Sequence, residues 1–358
     1  IRSIGRYYNP PMSQNCNKAE IALVGAGPVG IEIAVALKRA GLDYIHLDAG
    51  QVGQTIFNFA PGTRFFSSNE RIAIAGVPLQ TPDQTKSTRE HYLNYLRTIV
   101  QQFDLQVRTF ERIMSIDRAD GGFILHTEGM HGLDRYRVQK LILATGGTAG
   151  PRRLGIPGEE QANVHHRFTD PHLYFGRKLL IVGGKNSASE SALRCYHVGA
   201  QVSISYRRAA LDTAHIKYWL LPEINGLTHA GRITPYWSTV PVAIHGPRVI
   251  LRNTQSCQEQ TIETDFVLMQ LGFHADMGLA RMAGVELVGE REVPRFDEAT
   301  METNSPGVFV AGTAVGGTQD QYRLFIENCH VHAERIVAAL TGHAAPAAKP
   351  VEYLRPES

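Results

Sequence analysis

Twice in this chain a short apolar run leads straight into a glycine-rich loop and then into a helix-forming stretch. That repeated pattern constrains the fold more than any other feature. The first copy is Ile21-Ala22-Leu23-Val24, followed by Gly25-Ala26-Gly27-Pro28-Val29-Gly30 and helix formers over residues 31–40. An unbroken apolar run of four reads as a parallel strand buried on both faces. In the G-x-G-x-x-G loop, Gly25 permits the tight turn, Gly27 lets the backbone approach a pyrophosphate, and Gly30 lets the helix pack on the strand. The helix N-terminus supplies free N–H groups and the positive end of a dipole. A second strand over residues 44–47 ends in Asp48, with Ala49 beside it, at the distance where a carboxylate reaches a ribose 2′-hydroxyl.

The second copy begins at Lys178 with Leu179-Leu180-Ile181-Val182, then Gly183-Gly184-Lys185-Asn186-Ser187-Ala188, a helix over 189–197 and a strand over 201–205. Lys185 occupies the usual second-glycine position. The strand ends in Tyr206-Arg207-Arg208 rather than in an acid. A carboxylate there would repel a 2′-phosphate, whereas guanidinium groups bind one through paired hydrogen bonds, so the pattern reads as a site for NADPH rather than NADH.

A chain of 358 residues exceeds what one core usually serves, which favours two domains. The fold class expected is α/β, with two Rossmann-like dinucleotide-binding domains, one inserted into the other. Residues 18–154 open the first domain, 155–275 form the second, and 276–345 return to complete the first. Between the two copies, residues 87–103 form an amphipathic helix capped by Ser87 or Thr88, with Tyr92, Tyr95, Leu96 and Ile99 on its apolar face. Short strands are expected over 106–110, 113–117, 123–127, 135–138 and 141–144. Pro151, Gly155, Pro157 and Gly158 mark one crossover, and residues 272–276, after a strand over 266–271, mark a second. The end of the chain reads as a strand over 308–311, a glycine loop over 312–317, a helix over 321–340 and an irregular Ala- and Pro-rich tail.

Net charge is +2, with no basic block interleaved with aromatics, so nucleic acid is not an expected partner. Apolar runs are strand-length, far short of the roughly 20 residues of a membrane span. No apolar signal segment is visible near the start, and the expected location is the cytoplasm. The four cysteines, Cys16, Cys195, Cys257 and Cys329, form no C-x-x-C pair and no zinc spacing, and read as reduced thiols.

With both copies placed, the chain resembles the two-dinucleotide-binding-domain flavoprotein reductases of the low-molecular-weight thioredoxin reductase type. Within that group it is most similar to the YpdA-type bacillithiol disulfide (bacilliredoxin) reductases. The resemblance rests on Phe65-Phe66-Ser67-Ser68, Gly183-Gly184-Lys185-Asn186-Ser187, Ile216-Lys217-Tyr218-Trp219-Leu220-Leu221-Pro222-Glu223, Met301-Glu302-Thr303-Asn304 and Phe325-Ile326-Glu327-Asn328. It implies FAD in the first unit and the nicotinamide nucleotide in the second, with Ala144-Thr145-Gly146 as the family's linker motif. It also implies a low-molecular-weight thiol disulfide or a small redoxin as acceptor, and a homo-oligomer, dimer or tetramer. Read from the residues themselves, Phe65-Phe66-Ser67-Ser68 either borders the flavin ring or packs in the core, and the segment with Lys217, Trp219 and Glu223 is either where a substrate or nicotinamide rests or a surface helix with Trp219 packed inward.

Two departures bear on chemistry. YpdA-type proteins usually place a cysteine inside the first fingerprint, and here that position is Val29, which cannot attack sulfur. The Gly-Asp common in the wider family's final loop is Gly312-Thr313, so a hydroxyl or a backbone N–H would have to meet the flavin chain. Hydride transfer from NADPH to FAD survives both departures. Val29 keeps two alternatives open: a ferredoxin- or quinone-type reductase or flavin-dependent monooxygenase, and a flavin-binding sensor that is not an enzyme. Among other polar groups, Glu327, His330 and His332 do not converge on one helix face, and His165-His166 reads as a solvated loop pair.

Overall fold

The computed structural model describes residues 16–319 and 323–343. The chain forms two compact units. Among the described residues, one comprises residues 16–58, Ser67–Gly150 and the return segment 274–319 with 323–343; the other comprises Phe59–Phe66 and Pro151–Phe273.

The first unit is built on a five-stranded parallel sheet in the order Val308–Val310, Lys140–Leu143, Ile21–Val24, Tyr44–Leu47, Val107–Arg108. Ile21–Val24 lies at its centre and all four residues are buried, as an unbroken apolar run requires when both faces are covered. The helix Pro28–Arg39 starts with proline at its first position, where a missing N–H costs nothing, and ends on Lys38 and Arg39, which suit the negative end of its dipole. It buries Ile31, Ile33, Ala34 and Leu37. Helix Arg89–Gln102 is capped by Thr88, whose hydroxyl accepts the His91 N–H while the His91 ring accepts the Thr88 N–H, a reciprocal capping box. Between the third and fourth strands of the sheet in chain order, Arg112–Ala119, Gly122–Gly129 and Val138-ended Gly132–Val138 form an antiparallel meander. Phe123, Leu125 and Thr127 point inward from its middle strand with the expected period of two.

The second unit repeats this plan. Its parallel sheet runs Val164–His165, Phe266–Met269, Lys178–Val182, Gln201–Tyr206, Thr234–Trp237, and its antiparallel sheet is Thr239–His245, Arg248–Asn253, Glu259–Glu263. Lys178–Val182 holds the central place that Ile21–Val24 holds in the first unit. The α/β class with one parallel-sheet unit interrupted by another is therefore the architecture that the two glycine-loop patterns imply.

Three expectations are corrected. The strand expected over 106–110 is confined to Val107–Arg108. The final helix does not run from 321: residues 320–322 lie outside the described residues, a short turn spans Ile326–Asn328, and the α-helix is His330–Thr341. Side chains hold the backbone out of the helix there, since Gln319 Oε1 accepts the Arg323 and Leu324 N–H groups and Asn328 Oδ1 accepts that of Phe325. His165 and His166 are not a solvated pair: His165 bonds the Tyr174 hydroxyl at 2.9 Å and His166 the buried Glu159 carboxylate at 3.1 Å. The Ala- and Pro-rich tail beyond His343 lies outside the described residues.

Leu23 is fully buried in the central strand of the first unit. Leu23→Ala should cost about 2–5 kcal/mol and lower the thermal midpoint by about 3–7 °C. A shift below about 2 °C would show that the core does not close around this strand.

Candidate functional site

In the first unit, the glycine loop is fixed by its own packing. Gly25 has φ +106°, and a Cβ there would lie 2.3 Å from the Ala144 carbonyl oxygen of the neighbouring strand end. A Cβ on Gly30 would lie 1.9 Å from the Gly25 oxygen, so the turn closes only with glycine at both positions. Gly27 differs. Its φ of −74° suits any residue, and a Cβ there would meet nothing within 4 Å. The fold itself does not require glycine at Gly27, and the space beside it is open.

Polar groups from the second strand pin the same loop. The Gly25 N–H donates to the Leu47 carbonyl at 2.8 Å. His46, buried and with its basicity lowered chiefly by that burial, donates Nε2–H to the Gly25 carbonyl at 2.9 Å. Asp48 Oδ2 accepts the Ala26 N–H at 2.6 Å, and Oδ1 accepts the Gly50 N–H at 2.7 Å. Each carboxylate oxygen can accept further bonds, so Asp48 orders the loop and still has capacity for a ribose hydroxyl. Ala49 beside it is exposed. The helix that follows has no side-chain cap at Gly27, which leaves its first-turn N–H groups to other acceptors, and Pro28 and Val29 begin it.

The return segment closes the other side. Gly312, at φ +68°, donates its N–H to His332 Nδ1 at 3.0 Å, and a Cβ on it would touch Val29 at 3.4 Å. Burial, with the charges of Arg335 and His330, pushes the His332 imidazole down to about 4, so it is a neutral acceptor at pH 7. Thr313 Oγ1 accepts the Gly147 N–H at 2.9 Å, next to exposed Thr145 and half-buried Gly146. Thr313 thereby keeps its own hydroxyl proton to donate. Gly25–Gly30, Asp48, Gly146 and Gly312-Thr313 thus gather around the carboxyl ends of the parallel strands, where open α/β sheets bind ligands. His46, His332 and Gly147 complete this set, and no local motif announces them.

Ser67 is buried in the first unit, and Ser68 donates its hydroxyl to Glu70 at 2.6 Å. Phe66 falls in the second unit, where it stacks on Trp219 with centroids 6.1 Å apart. Glu327, His330 and His332 go separate ways: His330 bonds Glu32 and the Arg71 carbonyl, each at 2.9 Å, while His332 holds Gly312. No group of three metal-ligating side chains converges among the described residues.

In the second unit, a Cβ on Gly183 would lie 2.6 Å from the Gln270 carbonyl oxygen, and one on Gly184 would lie 2.3 Å from the Tyr206 ring. Lys185 is the N-cap residue of helix Asn186–His197, which has no side-chain cap; Ser187 and buried Ala188 lie in its first turn. Arg207 and Arg208 are exposed just past Gln201–Tyr206, and Arg208 Nη1 meets Asp212 Oδ2 at 3.1 Å. Lys217 is buried, with Nζ on Glu190 Oε2 at 2.8 Å and on the Arg64 carbonyl at 2.9 Å, so its ammonium already has protein partners. It lies in the turn ahead of helix Leu221–His229, whose Glu223 bonds His197 at 2.6 Å.

The cysteines offer no thiolate at either loop. Burial pushes the Cys195 thiol up to about 12, and burial together with Glu32 does the same to Cys329. Cys257 is exposed in the hairpin between Arg248–Asn253 and Glu259–Glu263, and Cys16 is partly exposed.

A family model described as pyridine nucleotide-disulphide oxidoreductase matches residues 22–312. Bacilliredoxin reductase Bdr of Bacillus subtilis is 33% identical over 319 residues, covering 89% of this chain and 96% of that protein. A ferredoxin–NADP reductase of Ignicoccus hospitalis is 28% identical, covering 81% of this chain and 88% of its own. Among solved structures, bacillithiol disulfide reductase Bdr (YpdA) from Bacillus cereus superposes with a TM-score of 0.86 at 30% identity, covering 91% and 99% of the two chains. No helix among the described residues is long and apolar enough to cross a membrane.

Two outcomes check this geometry. Gly27→Val should fold with an unchanged thermal midpoint of the ligand-free protein yet purify without a bound dinucleotide; a fully loaded variant would remove Gly27 from the site. In the native protein at pH 8, a colorimetric thiol reagent should reach only Cys257 and Cys16, with Cys195 and Cys329 reacting after denaturant is added. Rapid labelling of either buried thiol would contradict their placement.

Proposed function

Because the chain belongs to the pyridine nucleotide-disulphide oxidoreductase family, we propose that it is an NADPH-dependent flavoprotein reductase whose electrons go to a disulfide. The observation that carries this reading is the pairing of two parallel-sheet units with opposite chemistry beyond their second strands, Asp48 in one and Arg207-Arg208 in the other. The first unit suits FAD: Gly27 leaves room for a pyrophosphate, Asp48 is positioned for a ribose, and Thr313 has a hydroxyl proton to donate. The second suits a nicotinamide nucleotide bearing a 2′-phosphate, held on the first-turn N–H groups after Lys185 and on two guanidinium groups.

A flavin held in the first unit would supply the redox chemistry, with the nicotinamide as its source of hydride. The residues of this chain bind and orient. His46 and Asp48 hold the loop rigid, His332 fixes Gly312 against Val29, and neutral His332 adds no charge beside the bound group. The similarity to bacilliredoxin reductase Bdr and to bacillithiol disulfide reductase supports a low-molecular-weight thiol disulfide or a small redoxin mixed disulfide as acceptor. Val29 is buried against Gly312, and Cys195 and Cys329 are buried with raised pKa, so the chain contributes no thiolate beside this loop. In this reading the incoming disulfide is reduced without an enzyme thiol at position 29.

Anaerobic stopped-flow reduction by NADPH, followed by mixing with candidate acceptors, tests the reading. Flavin absorbance should bleach rapidly with NADPH and recover with a thiol disulfide but not with ferredoxin or quinone. Replacing Arg207 and Arg208 together by Ala should weaken NADPH by at least about tenfold and leave NADH nearly unchanged. Absence of bleaching, or recovery with ferredoxin alone, would overturn it.

A further inference from the structure

Past the strand Gln201–Tyr206, one carboxylate gathers the groups that would meet a nucleotide. Asp212 Oδ2 accepts Arg208 Nη1 at 3.1 Å, and Oδ1 accepts His215 Nδ1 at 2.8 Å. The Asp212 backbone N–H donates to the Gly184 carbonyl at 2.9 Å, which ties the whole cluster to the glycine loop. Exposure divides the three side chains sharply: the Asp212 carboxylate is 8% exposed, whereas Arg208 is 57% and His215 40% exposed. A buried anion therefore holds two donors whose outer atoms remain open to a ligand.

We propose that Asp212 is a positioning residue for nucleotide selectivity, fixing Arg208 and His215 at the Gly183–Gly184 turn so that they meet a 2′-phosphate. The proposal rests on reading the second unit as the NADPH site. An exposed arginine samples many rotamers, and immobilising one on binding weakens affinity; a partner that immobilises it beforehand removes that loss. Only one Arg208 nitrogen is used by Asp212 in this bond, and a guanidinium has five N–H donors, so the phosphate and the carboxylate do not compete for the same atoms. His215 is oriented in the same way: with Nδ1–H donating to the carboxylate, Nε2 is the ring atom facing outward, and it donates to a phosphate oxygen when the ring carries its second proton. Burial raises the Asp212 pKa, but the His215 hydrogen bond and the charges of His215, Arg208 and Lys185 outweigh it, so the carboxyl stays below its ordinary value and remains ionised at neutral pH.

The opposing effect is charge. An anion near a phosphate repels it, and if repulsion dominated, removing Asp212 would tighten NADPH. Asp212 is already paired with the Arg208 guanidinium and hydrogen-bonded to His215, whereas a 2′-phosphate would lie beyond them, at the exposed ends of the same groups. Orientation should therefore win.

Calorimetric titration of the flavin-loaded full chain with NADP+ and with NAD+ tests this. Asp212→Ala should weaken NADP+ by about 3- to 10-fold while NAD+ stays within about twofold. Asp212→Asn, which keeps the size and an acceptor oxygen, should recover part of the loss and serves if the alanine variant does not fold. Arg208→Ala should cost less in the Asp212→Ala background than in the wild type, because the two act as one unit. Unchanged or tighter NADP+ binding in Asp212→Ala or Asp212→Asn, equal weakening of both nucleotides, or strict additivity with Arg208→Ala would each overturn the assignment. A wild-type protein that binds NADP+ and NAD+ alike would instead overturn the NADPH reading beneath it.

Discussion

The first unit depends on one close approach: the Gly25 turn packed on the Ala144 carbonyl, with no room for a side chain between them. That contact sets where the central strand stops and where helix Pro28–Arg39 starts. The His46 and Asp48 bonds reach the loop only because it lies there, and Gly312 can rest on Val29 only because the helix begins at that point. A turn this tight leaves few alternative conformations, so the groups around it are ordered before any ligand arrives.

The second unit keeps the topology and changes the chemistry. Its turn is held by Gln270 and the Tyr206 ring instead of a neighbouring Ala-Thr strand end, and lysine stands at its N-cap. Where the first unit puts an acid on its own loop, the second puts arginines into solvent and the acid beneath them. The same backbone plan therefore presents an acceptor in one unit and donors in the other. That difference is carried by a few side chains at strand ends rather than by the fold.

Much of this was legible in the sequence, because it depends on short-range pattern. Ile21-Ala22-Leu23-Val24 and Leu179-Leu180-Ile181-Val182 are apolar on every residue, and each is followed by glycines at fixed offsets. What escaped depends on partners far along the chain. His46 sits in an ordinary-looking strand and acts on Gly25; His332 lies 20 residues beyond the glycine it holds. Asp212 carried a faint local signal, four residues after Arg208, but its bond to the Gly184 carbonyl has none. The final helix is shorter than the helix-compatible composition of residues 321–340 suggests, because the side-chain bonds of Gln319 and Asn328 that hold the backbone out of it leave no periodic trace. Nothing near His165 and His166 in the sequence marks Tyr174 and Glu159 as their partners.

The short segment Phe59–Phe66 has a consequence for how this gene could be cut or recombined. It belongs with the second unit, although the chain on either side of it belongs with the first. Lys217 donates to the carbonyl of Arg64 and Arg194 to that of Pro61, so both side chains rely on a stretch encoded far upstream. A continuous fragment spanning Pro151–Phe273 would lack those acceptors and leave a buried ammonium with one partner fewer. The second unit is thus not a cassette that recombination could move in one piece. Any exchange of it between proteins must bring along the eight residues Phe59–Phe66, more than 80 positions upstream of Pro151, or repair their loss by substitutions at Lys217 and Arg194.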